Sequence, residues 1–245
     1  MHTLGRMNTT LVINSKGGAG KTTLATNLAS ALAVHGIHPA ILDYDPQGSS
    51  LNWLRQRAPA APRIHGANGA PPRTGLRSFA LHVPATVSHL IIDAPAGASG
   101  VFLQGLLRRA SAVLVPVQPS AIDVHATANF LRDLLLAGPL RSREVRLAVV
   151  ANRVRRSSAV YQPLERFLAS LGVPLLARLS DSDAYLEAAE RGLGIFELDP
   201  SERAAERAQF LPIVRWAEPQ LAPASVPNVL EFSRSGSVRA LSPSP

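Results

Sequence analysis

The chain contains no cysteine. Disulfides are therefore excluded, as is any thiolate-bound metal or cluster. Long apolar runs are also missing, for none approaches the roughly 20 residues that cross a bilayer. Met1 to Thr9 lacks the apolar core of a signal peptide, which points to a cytoplasmic protein. Aromatic residues are sparse, and Trp53, Phe130, Phe167 and Trp216 read as packing. The histidines are scattered and show no metal-ligand spacing. Acidic residues are in deficit: 17 Asp and Glu stand against 25 Lys and Arg, for a formal charge of +8. That balance suits a polyanionic partner, DNA first. A solvated arginine-rich surface that binds nothing would have the same composition.

What the chain does have is length and alternation. Its 245 residues suffice for one large α/β domain with a substantial core. Candidate strands at 10–14, 39–43, 89–93, 112–117, 145–152 and 173–179 are mostly continuous apolar runs, as in strands buried on both faces. Candidate helices at 21–35, 49–57, 100–109, 121–137, 158–171, 181–191 and 200–216 alternate with them. The pattern predicts an α/β fold, a doubly wound, mostly parallel sheet flanked by helices, with right-handed crossovers. Residues 58–74 look irregular, with a candidate short strand at 63–67. One domain is expected over 1–217. Residues 218–245 have the Pro and Ser composition of a disordered tail.

The segment Asn14-Ser15-Lys16-Gly17-Gly18-Ala19-Gly20-Lys21-Thr22-Thr23 joins the first strand to the first helix. A Gly-rich turn there points backbone N–H groups inward, at the positive end of a helix dipole, and makes a phosphate cradle. Lys21 is placed for the β- and γ-phosphates and the Thr22 hydroxyl for Mg²⁺. The first glycine of the ordinary loop would fall at position 15, where this chain has Ser15; a second lysine, Lys16, precedes the glycine pair. The string KGGAGKTT resembles the deviant Walker A motif of the ParA/MinD family of ATPases. The resemblance implies an ATPase switched by dimerisation, with ATP and Mg²⁺ as cofactors. It puts Gly17, Gly18, Ala19, Gly20, Lys21, Thr22 and Thr23 on the nucleotide. Lys16 would reach across a sandwich homodimer to the partner's ATP.

Asp43 and Asp45 end the second strand and point to one face. At the C-terminal edge of a parallel sheet they face the crevice where ligands bind. Three uses fit: organising Mg²⁺ and its waters, positioning an attacking water, or capping a helix and a turn. The run Asp43-Tyr44-Asp45-Pro46-Gln47-Gly48 is similar to switch I of ParA proteins. That likeness implies Asp45 orienting the hydrolytic water and Asp43 supporting the metal shell and Thr22. Tyr44 is expected to face away and pack under a helix. Leu90-Ile91-Ile92-Asp93 has the form of a Walker B strand, with Asp93 beside Mg²⁺. Ala94-Pro95-Ala96-Gly97 resembles switch II, where Gly97 would supply an N–H near the γ-phosphate. Val115 to Asp123 resembles the family segment close to the dimer interface. Asn152, after the fifth strand, is carried over as a reader of the adenine edge; a plain loop asparagine is the alternative. Residues 178–197 look like the C-terminal part of small plasmid-partition ATPases of the ParF type.

The resemblance implies a cycle in which an ATP-bound dimer coats nucleoid DNA without sequence preference. An adaptor protein would then stimulate slow hydrolysis and release it. Candidate DNA contacts are Arg153, Arg155, Arg156, Arg178, Arg191 and Arg207, with Arg203 and Arg215 beside them, and 153–156 is the densest cluster. No membrane association is expected, because the tail offers no amphipathic basic helix. The P-loop strand comes near the start of the sequence, so no operator-reading helix-turn-helix is expected either. Two rivals stay open: a MinD-like ATPase at the membrane, and a metabolic P-loop enzyme of the same superfamily.

Overall fold

The computed structural model describes residues 7–70, 83–141, 145–155 and 161–218. The strands are β1 (Asn8–Val12), β2 (Pro39–Asp43), β3 (His65–Asn68), β4 (His89–Asp93), β5 (Ala112–Val117), β6 (Arg146–Val154) and β7 (Leu175–Ser180). The helices are α1 (Lys21–Val34), α2 (Ser49–Gln56), α3 (Gly100–Arg109), α4 (Ala121–Leu136), α5 (Gly138–Arg141), α6 (Tyr161–Leu171), α7 (Ala184–Glu190) and α8 (Ala204–Ala217), with a 3₁₀ turn at Ile195–Glu197.

All seven strands run parallel in one sheet of order β3-β2-β4-β1-β5-β6-β7. Side chains alternate across it, as the two-residue period of a strand requires. Leu11, Ile92, Val113 and Val115 enter one core with Leu107 of α3, Leu131 of α4 and Leu164 of α6. Val12, Ile91 and Leu114 enter the other with Leu28 of α1, Trp53 of α2 and Phe210 of α8. Both faces are therefore covered, which is why the strands read as continuous apolar runs. Register positions the chemistry: Asp43 aligns with Asp93, and Asp93 aligns with Val12, the last residue of β1.

Several boundaries differ from the sequence expectation. β1 begins at Asn8, β3 lies at His65–Asn68, and β6 continues to Val154 past a register shift. Arg153 takes a left-handed φ of 54° there, the one such non-glycine among the described residues. α5 and the 3₁₀ turn carry too few residues for a periodic signal. Glu218 was expected to open a disordered tail, yet it is buried and accepts a 3.1 Å hydrogen bond from Asn8 Nδ2. Residues 219–245 lie outside the described residues. Among the described residues no helix is long and apolar enough to cross a membrane.

Candidate nucleotide site

The loop between β1 and α1 turns twice through the left-handed region, at Gly18 (φ 74°) and Gly20 (φ 92°). Only glycine adopts such angles without steric cost, and the tight turn aims the amides that follow it inward. Neighbouring segments brace the loop. Asn14, at the end of the β1 run, donates to Pro116 O (2.7 Å) and Thr127 Oγ1 (3.2 Å) and accepts from the Lys16 amide (3.2 Å). Gln118 Nε2 donates to Gly18 O at 2.6 Å, and Gly97 N to Ser15 O at 3.1 Å.

Both lysines of the chain are in this loop. Lys21 is buried, and its ammonium donates to Lys16 O at 3.0 Å. Burial pulls its pKa below the ordinary lysine value, against the attraction of Asp93 and Asp45. Lys16 points the other way. Its side chain is 41% exposed and pairs at 3.4 Å with Asp123 Oδ1, in the first turn of α4. Ser120 caps that helix by accepting from the Asp123 amide (3.0 Å), and its hydroxyl donates to Asp123 Oδ2 (2.5 Å).

Asp93 lies at the floor. Its Oδ2 accepts from Thr22 Oγ1 at 2.8 Å and from the Ser50 hydroxyl. Its Oδ1 is buried with no hydrogen-bond partner among the described residues. Burial first, then the nearby Asp43 charge, pushes the carboxyl up to about 6, even with the two hydroxyls and Lys21 opposing. A hard cation beside the Thr22 hydroxyl and Asp93 would satisfy Oδ1, so the donor set fits Mg²⁺. Among the described residues no group of three or more His, Cys, Asp or Glu forms a dedicated metal cage.

Asp43, expected to support the metal shell, is held by backbone amides. Its Oδ2 accepts from the amides of Ser50 (3.0 Å) and Leu51 (3.2 Å), and its Oδ1 from the amide of Asp45 (2.9 Å). It meets two of the orphan first-turn amides of α2, whose N-cap is Gly48, because the strand ends where those amides need an acceptor. Asp45 is half-buried on the following turn and accepts from the Gln47 amide at 2.9 Å. Tyr44 turns away from both acids and packs against α3, its ring 5.5 Å from that of Phe102 and its hydroxyl accepting from Arg109. Asn152 lies against the loop: its side-chain amide donates to Ala19 O at 3.0 Å and fills the space beside Gly20.

The arginines expected on DNA divide. Arg153 and Arg155 are exposed at the end of β6, on the sheet edge that carries the loop, with Arg155 paired to Asp181 at 3.2 Å. Arg156 lies outside the described residues. Arg178 pairs with Glu165, and Arg191 (3.2 Å) and Arg203 (2.6 Å) pair with Glu187. Arg207 is not a free surface cation: its guanidinium lies 5.3 Å over the Phe196 ring with Nη1 buried. Ser50, Gln118 and Asn14 were not singled out from the sequence. A serine opening a helix reads as a cap, and the other two act on backbone about a hundred residues away.

Residues 10–195 match the family model described as the CobQ/CobB/MinD/ParA nucleotide binding domain. The chain belongs to this family. It is 26% identical over 202 residues to the maintenance of carboxysome distribution protein A of Halothiobacillus neapolitanus, covering 80% of this chain and 90% of that one. It is 31% identical over 188 residues to the protein of the same name from Gloeobacter kilaueensis, covering 76% and 82%. Among solved structures, it resembles the septum site-determining protein MinD complexed with Mg-ADP from Pyrococcus horikoshii. The TM-score is 0.61 at 19% identity, over 86% of this chain and 99% of that one. At that identity the likeness shows the shared P-loop fold.

Proposed function

We propose that this chain is an ATPase of the positioning and partition type. It binds ATP and Mg²⁺ at the loop, closes with a second copy into a sandwich homodimer, and holds DNA without sequence preference. An adaptor protein stimulates its slow hydrolysis and releases it. The observation that carries the reading is the opposed disposition of the two lysines. Lys21 is buried at the phosphate position, while Lys16 is half-exposed and held only by an exchangeable ion pair with Asp123. A lysine turned out of its own site is suited to a phosphate presented by another subunit.

Within the site, the loop amides and Lys21 would hold the phosphates, and Thr22 with Asp93 the metal. Bound Mg²⁺ supplies charge neutralisation to the phosphoryl oxygens. Asp45 orients the attacking water, and Asp43 keeps Asp45 in place through its amide. Arg153 and Arg155 are the first DNA contacts, with Arg156 as their sequence neighbour, and the working location is the nucleoid. The two relatives described above carry carboxysome distribution in their names, which supports a large protein assembly as one class of cargo.

The test is retention on non-specific duplex DNA at low salt with ATP, ADP or no nucleotide. Retention only with ATP, increased by Asp45→Ala and abolished by Lys16→Ala with ATP binding intact, is the expected result. ATP binding with no DNA retention in any state would overturn the DNA step and favour vesicles or small-molecule substrates. A normal ATP-dependent dimer from Lys16→Ala would overturn the role of that lysine.

A further inference from the structure

Ser50 is fully buried at the start of α2 and bonded to both acids of the site. Its amide donates to Asp43 Oδ2 at 3.0 Å, and its hydroxyl donates to Asp93 Oδ2. These acids are register partners on adjacent strands. The oxygen that Ser50 holds also accepts from Thr22 Oγ1 at 2.8 Å. Two hydroxyl donors on one oxygen fix the rotation of the carboxylate and leave Oδ1 with its lone pairs unused. A buried carboxylate oxygen without a donor is costly unless a cation or water faces it. The Ser50 hydroxyl is thus a side-chain link between the Walker B carboxylate and the helix that follows Asp45.

We infer that Ser50 is a positioning residue: it sets the Asp93 carboxylate for Mg²⁺ and passes metal loading on to α2. The inference rests on the Mg²⁺-nucleotide reading proposed above. Thr22 alone would leave the carboxylate free to swing about its own side-chain axis. With Ser50 in place, a shift of Asp93 pulls the first turn of α2, to which the Asp45 loop is joined through Asp43. Trp53 stands one turn further along α2, buried, with its indole N–H on Leu193 O at 3.1 Å. It is an internal reporter of that movement.

The experiment uses the full chain with Trp216→Phe, so that Trp53 is the sole indole. ATP binding is first measured by calorimetry with chelator present. Mg²⁺ is then titrated into the ATP complex while Trp53 emission is followed. Ser50→Ala is compared with Ser49→Ala, an exposed neighbour on the same turn, and with Ser50→Thr, which keeps a hydroxyl. Ser50→Ala is expected to bind ATP like the parent without metal, to need about tenfold more Mg²⁺ for half-saturation, as residues supporting a metal ligand commonly do, and to lose most of the Trp53 response. Ser49→Ala should match the parent, and Ser50→Thr should recover most of the Mg²⁺ dependence. An unchanged Mg²⁺ midpoint and Trp53 response in Ser50→Ala, with far-UV dichroism showing a folded chain, would overturn the inference. A parent protein that binds no ATP would instead overturn the functional reading beneath it.

Discussion

Replacing Gly20 by alanine tests the loop and the asparagine against it together. Gly20 sits at φ 92° and ψ 26°, just before α1. A Cβ there would stand 2.0 Å from Asn152 Nδ2 and 3.2 Å from its Cγ. Two costs arise. Holding alanine in a left-handed conformation costs about 1 kcal/mol. Driving the buried amide away breaks its bond to Ala19 O and leaves a carbonyl unmet, about 2 kcal/mol more. If the loop yields instead of the asparagine, that free energy is lost from the phosphate cradle. A loss of about 3 kcal/mol is a weakening of ATP binding on the order of a hundredfold. With Asn152→Ala the obstacle is gone and only the backbone cost remains, so Gly20→Ala should then weaken binding about fivefold. The assay is calorimetric ATP affinity for the four members of a double-mutant cycle, with thermal melting to follow stability. Additive effects, within about 0.5 kcal/mol, would refute the reasoning, because Asn152 would then not occupy the space that Gly20 leaves open.

Because Lys16 and Lys21 are the chain's only lysines, an amine-selective reagent followed by peptide mass spectrometry resolves them directly. Lys16, exposed beside Asp123, should label far faster than buried Lys21, and equal rates would contradict the geometry. A second test concerns the buried ion pair that ties α2 to the 3₁₀ turn, Arg57 to Glu197 at 2.7 Å. Removing one partner strands the other, so Arg57→Ala should cost about 3–5 kcal/mol and lower the melting temperature by roughly 10 °C. Burial raises the Glu197 carboxyl, but Arg57, the Gly194 amide and Ser30 outweigh it and hold the pKa below the ordinary value. Its contribution is therefore complete above the unfolded pKa, near ~4.3, and fades as pH falls through the lower folded value. The Glu197→Gln deficit should shrink in the same acid range, and a deficit independent of pH would refute the assignment. Third, Arg153→Glu with Arg155→Glu should flatten the salt dependence of DNA retention by about two phosphate contacts. Arg207→Ala should lower the melting temperature while leaving that slope alone.

The sheet and the loop were legible because they rest on local signals. A two-residue apolar alternation and a glycine pair before a lysine survive without knowledge of the third dimension. The pairing of Asp43 with Asp93 follows from strand order, which alternation constrains. Their division of labour does not follow. Both end apolar strands, and only the structure decides that one meets first-turn amides of α2 while the other receives Thr22 and Ser50. The brace from Asn152 was illegible for a related reason: no local signal places its amide in the hollow of a glycine 132 residues earlier. The charge excess does not reveal the setting of Arg207, since a count of arginines cannot distinguish a solvated guanidinium from one laid over Phe196.

Burial acts on both charged groups at the centre of the loop site, and in opposite directions. It lifts the Asp93 carboxyl and lowers the Lys21 ammonium, so each is driven toward its neutral form. The two attract each other, but Lys21 donates to Lys16 O, and Asp93 accepts at Oδ2 alone while Oδ1 stays unmet among the described residues. A magnesium nucleotide brings phosphate charge to Lys21 and cationic charge to Asp93 at once. Each buried group then gains the counter-charge that its folding left out, and the desolvation already incurred in building the site need not be incurred again on binding. Exposed Lys16 has no such debt. Its pair with Asp123 is worth at most about 1 kcal/mol, so it can be exchanged for a phosphate without disturbing the fold. On the function proposed above, a buried lysine suited to holding nucleotide and an exposed one suited to a reversible subunit contact stand five residues apart.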